Sequence, residues 1–395
     1  MAKIFHVYAS NGPNVDAELD LPASDYELLD LMERLHLEPG KSPYLELLEY
    51  GEQYNYLEKC IHELPDLFQL NALAKKLLEL TSVQDMAAFE GLVGKEIQAN
   101  KLPIPLPQLI DFAYSTEGCV LAEEAMTDFQ LGKFLVENDF LEEVNGLPES
   151  IIALLDFGKI GKEHREAEGG IFTGFGYVEQ FPEVRNVNAA MDFQPQTPDY
   201  TILLEVSQGF FNDPGYDREK TVQLKLPATP EALDAALTAL DVWDWREAGW
   251  RCLDCKVPSL MDAVSDEDSI HAVNDLAQRL ADMEPKVLST YKAVLPTADC
   301  KTVQQAEQLM DTLDQYILSP QYSSPIEVAK GELSLILSEP DRELVASHLN
   351  LYQYGQALVE KCGGVLTGYG LIERKDRQPV QAAAEQPQWG GMEMT

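Results

Sequence analysis

Residues Leu155–Glu179 read LDFGKIGKEHREAEGGIFTGFGYVE, and Leu349–Glu373 read LNLYQYGQALVEKCGGVLTGYGLIE, in register without a gap at a spacing of 194 residues. Shared glycines mark backbone positions that need positive φ or close approach. Each stretch is predicted to form a helix, a double-glycine stop and a glycine-kinked strand, over 156–168 and 171–178 in the first. The repeated glycines are Gly161, Gly169, Gly170 and Gly174, matched by Gly355, Gly363, Gly364 and Gly368.

The repeat continues through most of the chain, which makes tandem duplication the organising hypothesis. The LPA tripeptide at 21–23 recurs at 226–228, and the apolar helical pattern around Asn71 recurs around Asn274. The spacing decreases from 205 to 194 residues along the chain, as deletions in loops would produce.

Helix-start signals occupy matching places in the two copies. Ser24 followed by Glu27 predicts a capping box before a helix that runs through Leu35. Pro230 fits the first turn of the counterpart helix, where a missing N–H costs nothing. Both signals follow stretches predicted to be strands, so we expect a mixed α+β fold.

The expected domain boundaries follow from the repeat. Copy 1 is expected at residues 1–180 and copy 2 at residues 200–374. Residues 181–199, FPEVRNVNAAMDFQPQTPD, are rich in Pro, Asn and Gln and are interpreted as a linker. Residues 375–395 carry no apolar period and are expected to be a disordered tail.

The charge of the chain is strongly negative, with 67 acidic against 29 basic residues and a net charge of −38. Residues 1–180 alone contain 33 acidic and 12 basic residues, so both copies are acidic. One interpretation is a highly charged solubilising surface. The other is that carboxylates replace phosphates, since 38 charges match roughly 65 Å of duplex DNA at one charge per about 1.7 Å.

The sequence shows neither a membrane-spanning segment nor a secretory signal. No apolar run reaches the length of a membrane span, and the stretch MAKIFHVYASNG lacks the apolar segment of a signal peptide. Six cysteines are sparse for 395 residues, as expected for reduced thiols. The expected location is the cytoplasm.

Catalytic and metal-binding signatures are weak. Residues 40–42, GKS, resemble the end of a phosphate-binding loop, but the earlier glycine is absent and Pro43 follows. Cys252 and Cys255 have redox or zinc spacing, yet no second cysteine pair or paired histidines accompany them, so packing is their expected role. We predict no enzyme activity, no cofactor and no metal.

The informative feature is a dispersion of carboxylates over helix faces and turns. Each taken alone is expected to be a solvated residue, whereas together they can form a negative stripe. The candidate phosphate mimics are Glu123, Glu124, Asp128, Glu137, Asp139, Glu142, Glu143, Glu163, Glu166, Glu168, Asp262, Asp266, Glu267 and Asp268.

Several stretches resemble the ArdA antirestriction proteins. They are LNALAKKL around Asn71, FQLGKFLVENDFLEEVNGLPE at Phe129–Glu149, DFGKIGKE at Asp156–Glu163 and the acidic-aromatic LLEY at Leu47–Tyr50. The resemblance covers about residues 3–180 and, more weakly through the repeat, residues 199–374. This chain differs from the usual single-copy, dimerising member by carrying two copies.

The resemblance implies an elongated α+β protein with about three small subdomains in each copy, in copy 1 near 1–60 (α/β), 61–104 (helical) and 105–180 (α+β). It also implies an acidic surface that mimics bent DNA and occupies the DNA-binding groove of type I restriction-modification enzymes. The two copies would then form a pseudo-dimer within one chain, or the chain would form a homodimer.

The leading functional hypothesis is therefore an antirestriction protein of a mobile genetic element whose partner is a type I restriction-modification enzyme. Direct nucleic-acid binding is not expected, because the acidic surface repels the phosphate backbone, and no membrane partner is expected. The alternative is an acidic, duplicated regulatory or scaffold protein of a mobile element that binds a basic protein. An enzyme using paired carboxylates in a deep pocket is the third hypothesis.

Overall fold

The computed structural model describes residues 3–12, 15–38, 40–62, 64–144, 146–209, 220–298 and 300–380. Of the predicted disordered tail, residues 381–395 lie outside the described residues. Contacts divide the chain into two compact units. Unit 1 comprises Met1–Ala9, Glu18–Ala23 and Ser42–Gln194, and unit 2 comprises Ser10–Ala17, Ser24–Lys41 and Pro195–Thr395.

Helices and short strands are mixed along the described chain, which confirms the α+β class. The strands are β1 Phe5–Ser10, β2 Asp16–Leu21, β3 Tyr44–Tyr50, β4 Val120–Ala122, β5 Ile171–Thr173, β6 Gly176–Glu179, β7 Ile202–Gln208, β8 Thr221–Leu226, β9 Ala248–Cys255, β10 Tyr316–Ser319, β11 Val365–Thr367 and β12 Gly370–Arg374. The α-helices are α1 Asp25–Arg34, α2 Leu67–Glu79, α3 Val83–Gln98, α4 Leu106–Ala113, α5 Asp128–Glu137, α6 Glu149–Ile152, α7 Phe157–Glu168, α8 Pro230–Leu240, α9 Ile270–Asp282, α10 Pro285–Ala298, α11 Val303–Met310, α12 Pro325–Ile336, α13 Glu339–His348 and α14 Leu351–Cys362. The 3-10 helices are Glu52–Lys59, Glu142–Val144, Asn188–Ala190, Trp245–Glu247, Pro258–Ala263 and Leu313–Gln315.

The strands of the described residues form four three-stranded sheets. Their orders are β2-β1-β3, β4-β6-β5, β8-β7-β9 and β10-β12-β11. The first and third sheets share one order, and the second and fourth share another. The pairs β4–β6, β5–β6, β7–β8, β7–β9, β10–β12 and β11–β12 are antiparallel.

The helix boundaries follow the capping residues. Ser24 and Glu27 form the predicted capping box of α1, with Ser24 N donating to Glu27 Oε2 at 2.7 Å and Glu27 N donating to Ser24 Oγ at 3.1 Å. Pro230 opens α8 behind the N-cap Thr229, also as predicted. Helix α7 ends at Gly169 with φ +63°, which confirms the glycine stop.

The strand predicted over 171–178 is wrong: the segment is a hairpin of β5 and β6, with Thr173 paired to Gly176. Thr173 Oγ1 donates to Gly176 O at 2.9 Å and accepts from Phe175 N at 3.1 Å, which closes the turn. Gly176 has φ +138°, and a Cβ there would lie 2.5 Å from Ala122 O. These glycines therefore reverse the chain between strands and do not bend one strand.

Helices α5 and α7 cross at glycines because their backbones nearly touch. A Cβ on Gly161 would lie 1.9 Å from Asp128 O, and a Cβ on Gly132 would lie 1.9 Å from Phe157 O. In unit 2, helices α12 and α14 pack together, and a Cβ on Gly355 would lie 1.7 Å from Pro325 O. Only glycine allows so close an approach.

The core of unit 2 lies between the β8-β7-β9 sheet and the helices α8 to α11. Helix α1 also belongs to this unit and packs against Pro258–Ala263. Its Tyr26 hydroxyl donates a hydrogen bond to Tyr200 O, and its Leu28 and Leu31 are buried.

Residues 185–190, part of the predicted linker, are held against α4 in unit 1. Asp111 on α4 is buried and accepts hydrogen bonds from Val187 N at 2.8 Å and from Asn188 N at 2.9 Å. Ser115 Oγ accepts from Arg185 N at 2.9 Å. This part of the connection is therefore packed against unit 1.

Candidate interaction surface

Ten of the candidate phosphate mimics lie in unit 1, on α5, α7 and the turns around them. The close crossing of α5 and α7 fixes the directions in which their side chains point. Asp128 is half-buried, and the other nine residues are exposed: Glu123, Glu124, Glu137, Asp139, Glu142, Glu143, Glu163, Glu166 and Glu168.

Asp128 differs from the rest because it is paired across the helix crossing. Arg165 on α7 donates to its two carboxylate oxygens at 2.8 and 3.1 Å. These hydrogen bonds lower the pKa of Asp128 and raise that of Arg165. Asp128 therefore ties α5 to α7, and its charge is locally compensated.

Three other candidates face lysines on their own helices. In each pair the lysine lies four residues before the glutamate. The distances are 3.5 Å for Lys133 and Glu137, 3.7 Å for Lys159 and Glu163, and 3.9 Å for Lys162 and Glu166. Exposed pairs of this kind contribute only about 0.3–0.5 kcal/mol each. The lysines nevertheless reduce the negative potential along α7.

A run of acidic residues lies between the last turns of α5 and the start of α7. Residues 134–158 contain six acidic residues and no basic residue. Glu142 and Glu143, in the 3-10 helix that follows α5, are exposed and have no ion pair with any described lysine or arginine. This acidic connection, residues 137–149, is the best candidate for contact with a basic partner.

The remaining four candidates lie in unit 2, near the end of β9. Asp262 and Glu267 are exposed, whereas Asp266 and Asp268 are half-buried. Burial raises the pKa of Asp268, and the neighbouring Glu267 adds to the rise. Asp268 is therefore less suited to present a negative charge than the exposed pair.

Sequence reasoning missed acidic residues that the repeat could have identified. Helix α13 follows α12 as the acidic connection follows α5, and it exposes Glu339, Asp341 and Glu343. In unit 1, Glu18 and Asp20 are exposed on β2, and alternation of acidic and apolar residues along that strand was the available signal.

The Glu18 and Asp20 pair is partly compensated by neighbours on the same sheet. His6 Nδ1 lies 2.6 Å from Asp20, and its Nε2 lies 3.3 Å from Glu18. Lys3 Nζ lies 3.3 Å from Asp20 and 2.6 Å from Glu49. This face of the sheet is therefore a mixed-charge surface.

Buried carboxylates in the described chain form structural hydrogen bonds. Asp254 on β9 accepts from Ser24 Oγ at 2.7 Å, Tyr200 Oη at 2.8 Å and Cys255 N at 2.9 Å. Burial raises the pKa of the Cys255 thiol to about 12, so this thiol is protonated at neutral pH. The described residues contain no group of three or more His, Cys, Asp or Glu side chains placed to hold a metal ion.

None of the described helices combines the length and the apolar character that crossing a bilayer requires.

Known proteins give no independent assignment of this surface. No protein-family model matches the chain, and no curated protein is similar enough to count as a relative.

Proposed function

We propose that this protein is an antirestriction protein that acts as an acidic DNA mimic and occupies the DNA-binding groove of a type I restriction-modification enzyme in the cytoplasm. The observation that carries the proposal is the acidic connection. It presents exposed carboxylates and lies within residues 134–158, a stretch of 25 residues that contains no basic residue, in a chain of net charge −38. A DNA-binding groove is lined by lysine and arginine, which such a surface can pair with.

We also propose that the chain is a tandem duplication. The β2-β1-β3 and β8-β7-β9 sheets have one strand order, and the β4-β6-β5 and β10-β12-β11 sheets have another, which supports the proposal. The hairpin turn is repeated in detail, since Thr367 Oγ1 donates to Gly370 O at 2.9 Å, as Thr173 does to Gly176. Each copy would comprise about three small subdomains.

The duplication bears on the oligomeric state. The usual single-copy member of the ArdA family dimerises, so two copies would occupy the groove of a type I enzyme. In this protein one polypeptide would supply both copies. The chain would then act as a monomeric pseudo-dimer, and sedimentation equilibrium of the full-length protein distinguishes this from a homodimer.

Competition for a type I methyltransferase core tests the function. The purified protein is titrated against a fluorescent duplex of about 30 base pairs bound to the core, at about 50 mM and about 300 mM salt. We expect displacement at low salt and a steep loss of displacement at high salt, because released counterions drive the pairing of a basic groove with fixed charges.

The same assay separates the proposal from the scaffold alternative. A mimic of the DNA backbone should displace DNA from cores with different recognition sequences, because it does not imitate base edges. If the protein displaces no DNA at both salt concentrations, the DNA-mimic proposal is ruled out, and the alternative of an acidic scaffold for another basic protein is favoured.

A further inference from the structure

We propose that the outer edge of β3 in unit 1 binds an extended segment of another protein, which adds to the β2-β1-β3 sheet as an antiparallel strand. The occupant would alternate apolar and basic side chains on the face toward the groove. This inference goes beyond the proposed DNA mimicry and does not depend on it.

Strand β3 is at the edge of its sheet and borders an open groove of about 790 Å³. Glu58 and Leu64 also line this groove. Tyr44 is 53% exposed, Leu48 is 44% exposed and Leu64 is 55% exposed. An edge strand flanked by exposed apolar side chains is a template for strand addition.

The corresponding edge in unit 2 is already occupied by its own chain. Strand β9 has the same position in the β8-β7-β9 sheet, and Arg251 on β9 forms an antiparallel bridge with Ser265. The adjacent Trp250 is only 4% exposed. Among the described residues no bridge is found on the outer edge of β3, so this edge lacks the cover that its counterpart has.

The negative charge of the groove favours an occupant that carries a basic residue. Side chains two residues apart share a face of a strand, so Tyr44, Glu46 and Leu48 present an apolar-acidic-apolar pattern. Glu46 and Glu58 form no ion pair with a described residue, whereas Glu49 is paired with Lys3. A second copy of β3 would place glutamates opposite one another, which is unfavourable. A foreign segment with an apolar-x-basic-x-apolar pattern fits both features.

The test uses the full-length protein and a fluorescein-labelled peptide, Thr-Ile-Thr-Arg-Thr-Val-Thr, with binding followed by anisotropy. Two further peptides carry N-methyl groups on one or the other alternate set of amides. Strand addition requires hydrogen bonds from one set only. We expect one methylated peptide to bind at least about tenfold more weakly and the other to bind like the parent.

Charge-swapped variants test the position of the site. Glu46→Lys should weaken binding of the arginine peptide by about tenfold and strengthen binding of the same peptide with Glu in place of Arg. Glu183→Lys, the same change at an exposed residue outside the groove, should leave both affinities within about twofold. Equal binding of both methylated peptides, equal behaviour of the two variants, or no binding at about 1 mM peptide would each overturn the proposal.

Discussion

The side-chain amide of Asn71 forms two hydrogen bonds with the backbone of Ala23, which joins α2 to the end of β2 within unit 1. Asn71 Oδ1 accepts from Ala23 N at 2.7 Å, and Asn71 Nδ2 donates to Ala23 O at 3.1 Å. In unit 2, Asn274 forms the same pair with Ala228 at 2.7 and 3.2 Å. A side-chain amide thus takes the role of a neighbouring strand at both places.

Removal of this amide should destabilise unit 1. Asn71 and Ala23 are both buried, so Asn71→Ala leaves a backbone donor and an acceptor without partners. At about 1–3 kcal/mol for each of these two unsatisfied groups, we expect a loss of roughly 2–6 kcal/mol in the free energy of unfolding. Urea denaturation measures it, with the exposed Asn55→Ala as control. A loss below about 0.5 kcal/mol would show that the two bonds are not stabilising.

Two glycine-to-alanine substitutions on α7 should have opposite effects on stability, because only one of the two glycines lies at the crossing with α5. Gly161→Ala would put a Cβ 1.9 Å from Asp128 O, so the helices must separate, and we expect a loss of about 1–3 kcal/mol or more. Gly158→Ala, one turn earlier, meets only an Asp156 side-chain oxygen at 3.4 Å. Alanine favours helix by up to about 1 kcal/mol there, so this control should be neutral or stabilising. Thermal unfolding of both variants gives the comparison.

Local signals in the sequence predicted the helix starts and stops well. Ser24 with Glu27, Pro230 and Gly169 act within a few residues, so their effects can be inferred without knowledge of the fold. The hairpin turn was missed because Gly176 is needed for its approach to Ala122, a contact across the sheet.

The sequence also could not show which candidate carboxylates are paired with residues far away in the chain. Asp128 looked like any other exposed carboxylate, because Arg165 is 37 residues away in sequence. The sequence predicted a helix from Ser24 through Leu35, but not that this helix belongs to unit 2, where its Leu28 and Leu31 are buried. Amphipathic patterning shows that a face is buried and does not show what covers it.

A buried ion pair anchors α1 inside unit 2 and yields the next prediction. Lys292 Nζ on α10 lies 2.8 Å from Asp30 Oδ1 and 2.9 Å from Glu33 Oε2, and Asp30 and Lys292 are both 5% exposed. Lys292→Met leaves a buried carboxylate with less compensation, and we expect a loss of about 3–5 kcal/mol. Lys286→Met, an exposed position on the same helix, should change stability by less than about 0.5 kcal/mol. Asp30→Asn in the Lys292→Met background should restore part of the loss.

This ion pair should also make stability depend on alkaline pH. Burial alone would lower the pKa of Lys292, but the carboxylates of Asp30 and Glu33 outweigh it and raise the pKa above the ordinary 10.5. A raised lysine pKa stabilises the folded protein fully below the unfolded value, and this contribution is lost as pH rises through the folded value. The stability difference between wild type and Lys292→Met should therefore be constant from about pH 7 to 9 and shrink above about 10.5. A difference that grows with pH would contradict the assigned direction.

The acidic connection can be tested against the total charge of the protein. Asp139→Asn with Glu142→Gln and Glu143→Gln removes three charges from residues 137–149. The matched control removes three exposed charges at α8, with Glu231→Gln, Asp234→Asn and Asp241→Asn. If carboxylates of the connection meet lysines or arginines of a methyltransferase groove, the first variant should lose about 1–3 kcal/mol of binding, since exposed pairs contribute up to about 1 kcal/mol each. Its affinity should also fall less steeply with salt, because fewer pairs form.

The control should change only through the weaker overall field, which is largely screened beyond about 8 Å at physiological ionic strength. Equal losses in the two variants would mean that net charge, and not this surface, governs the competition with DNA.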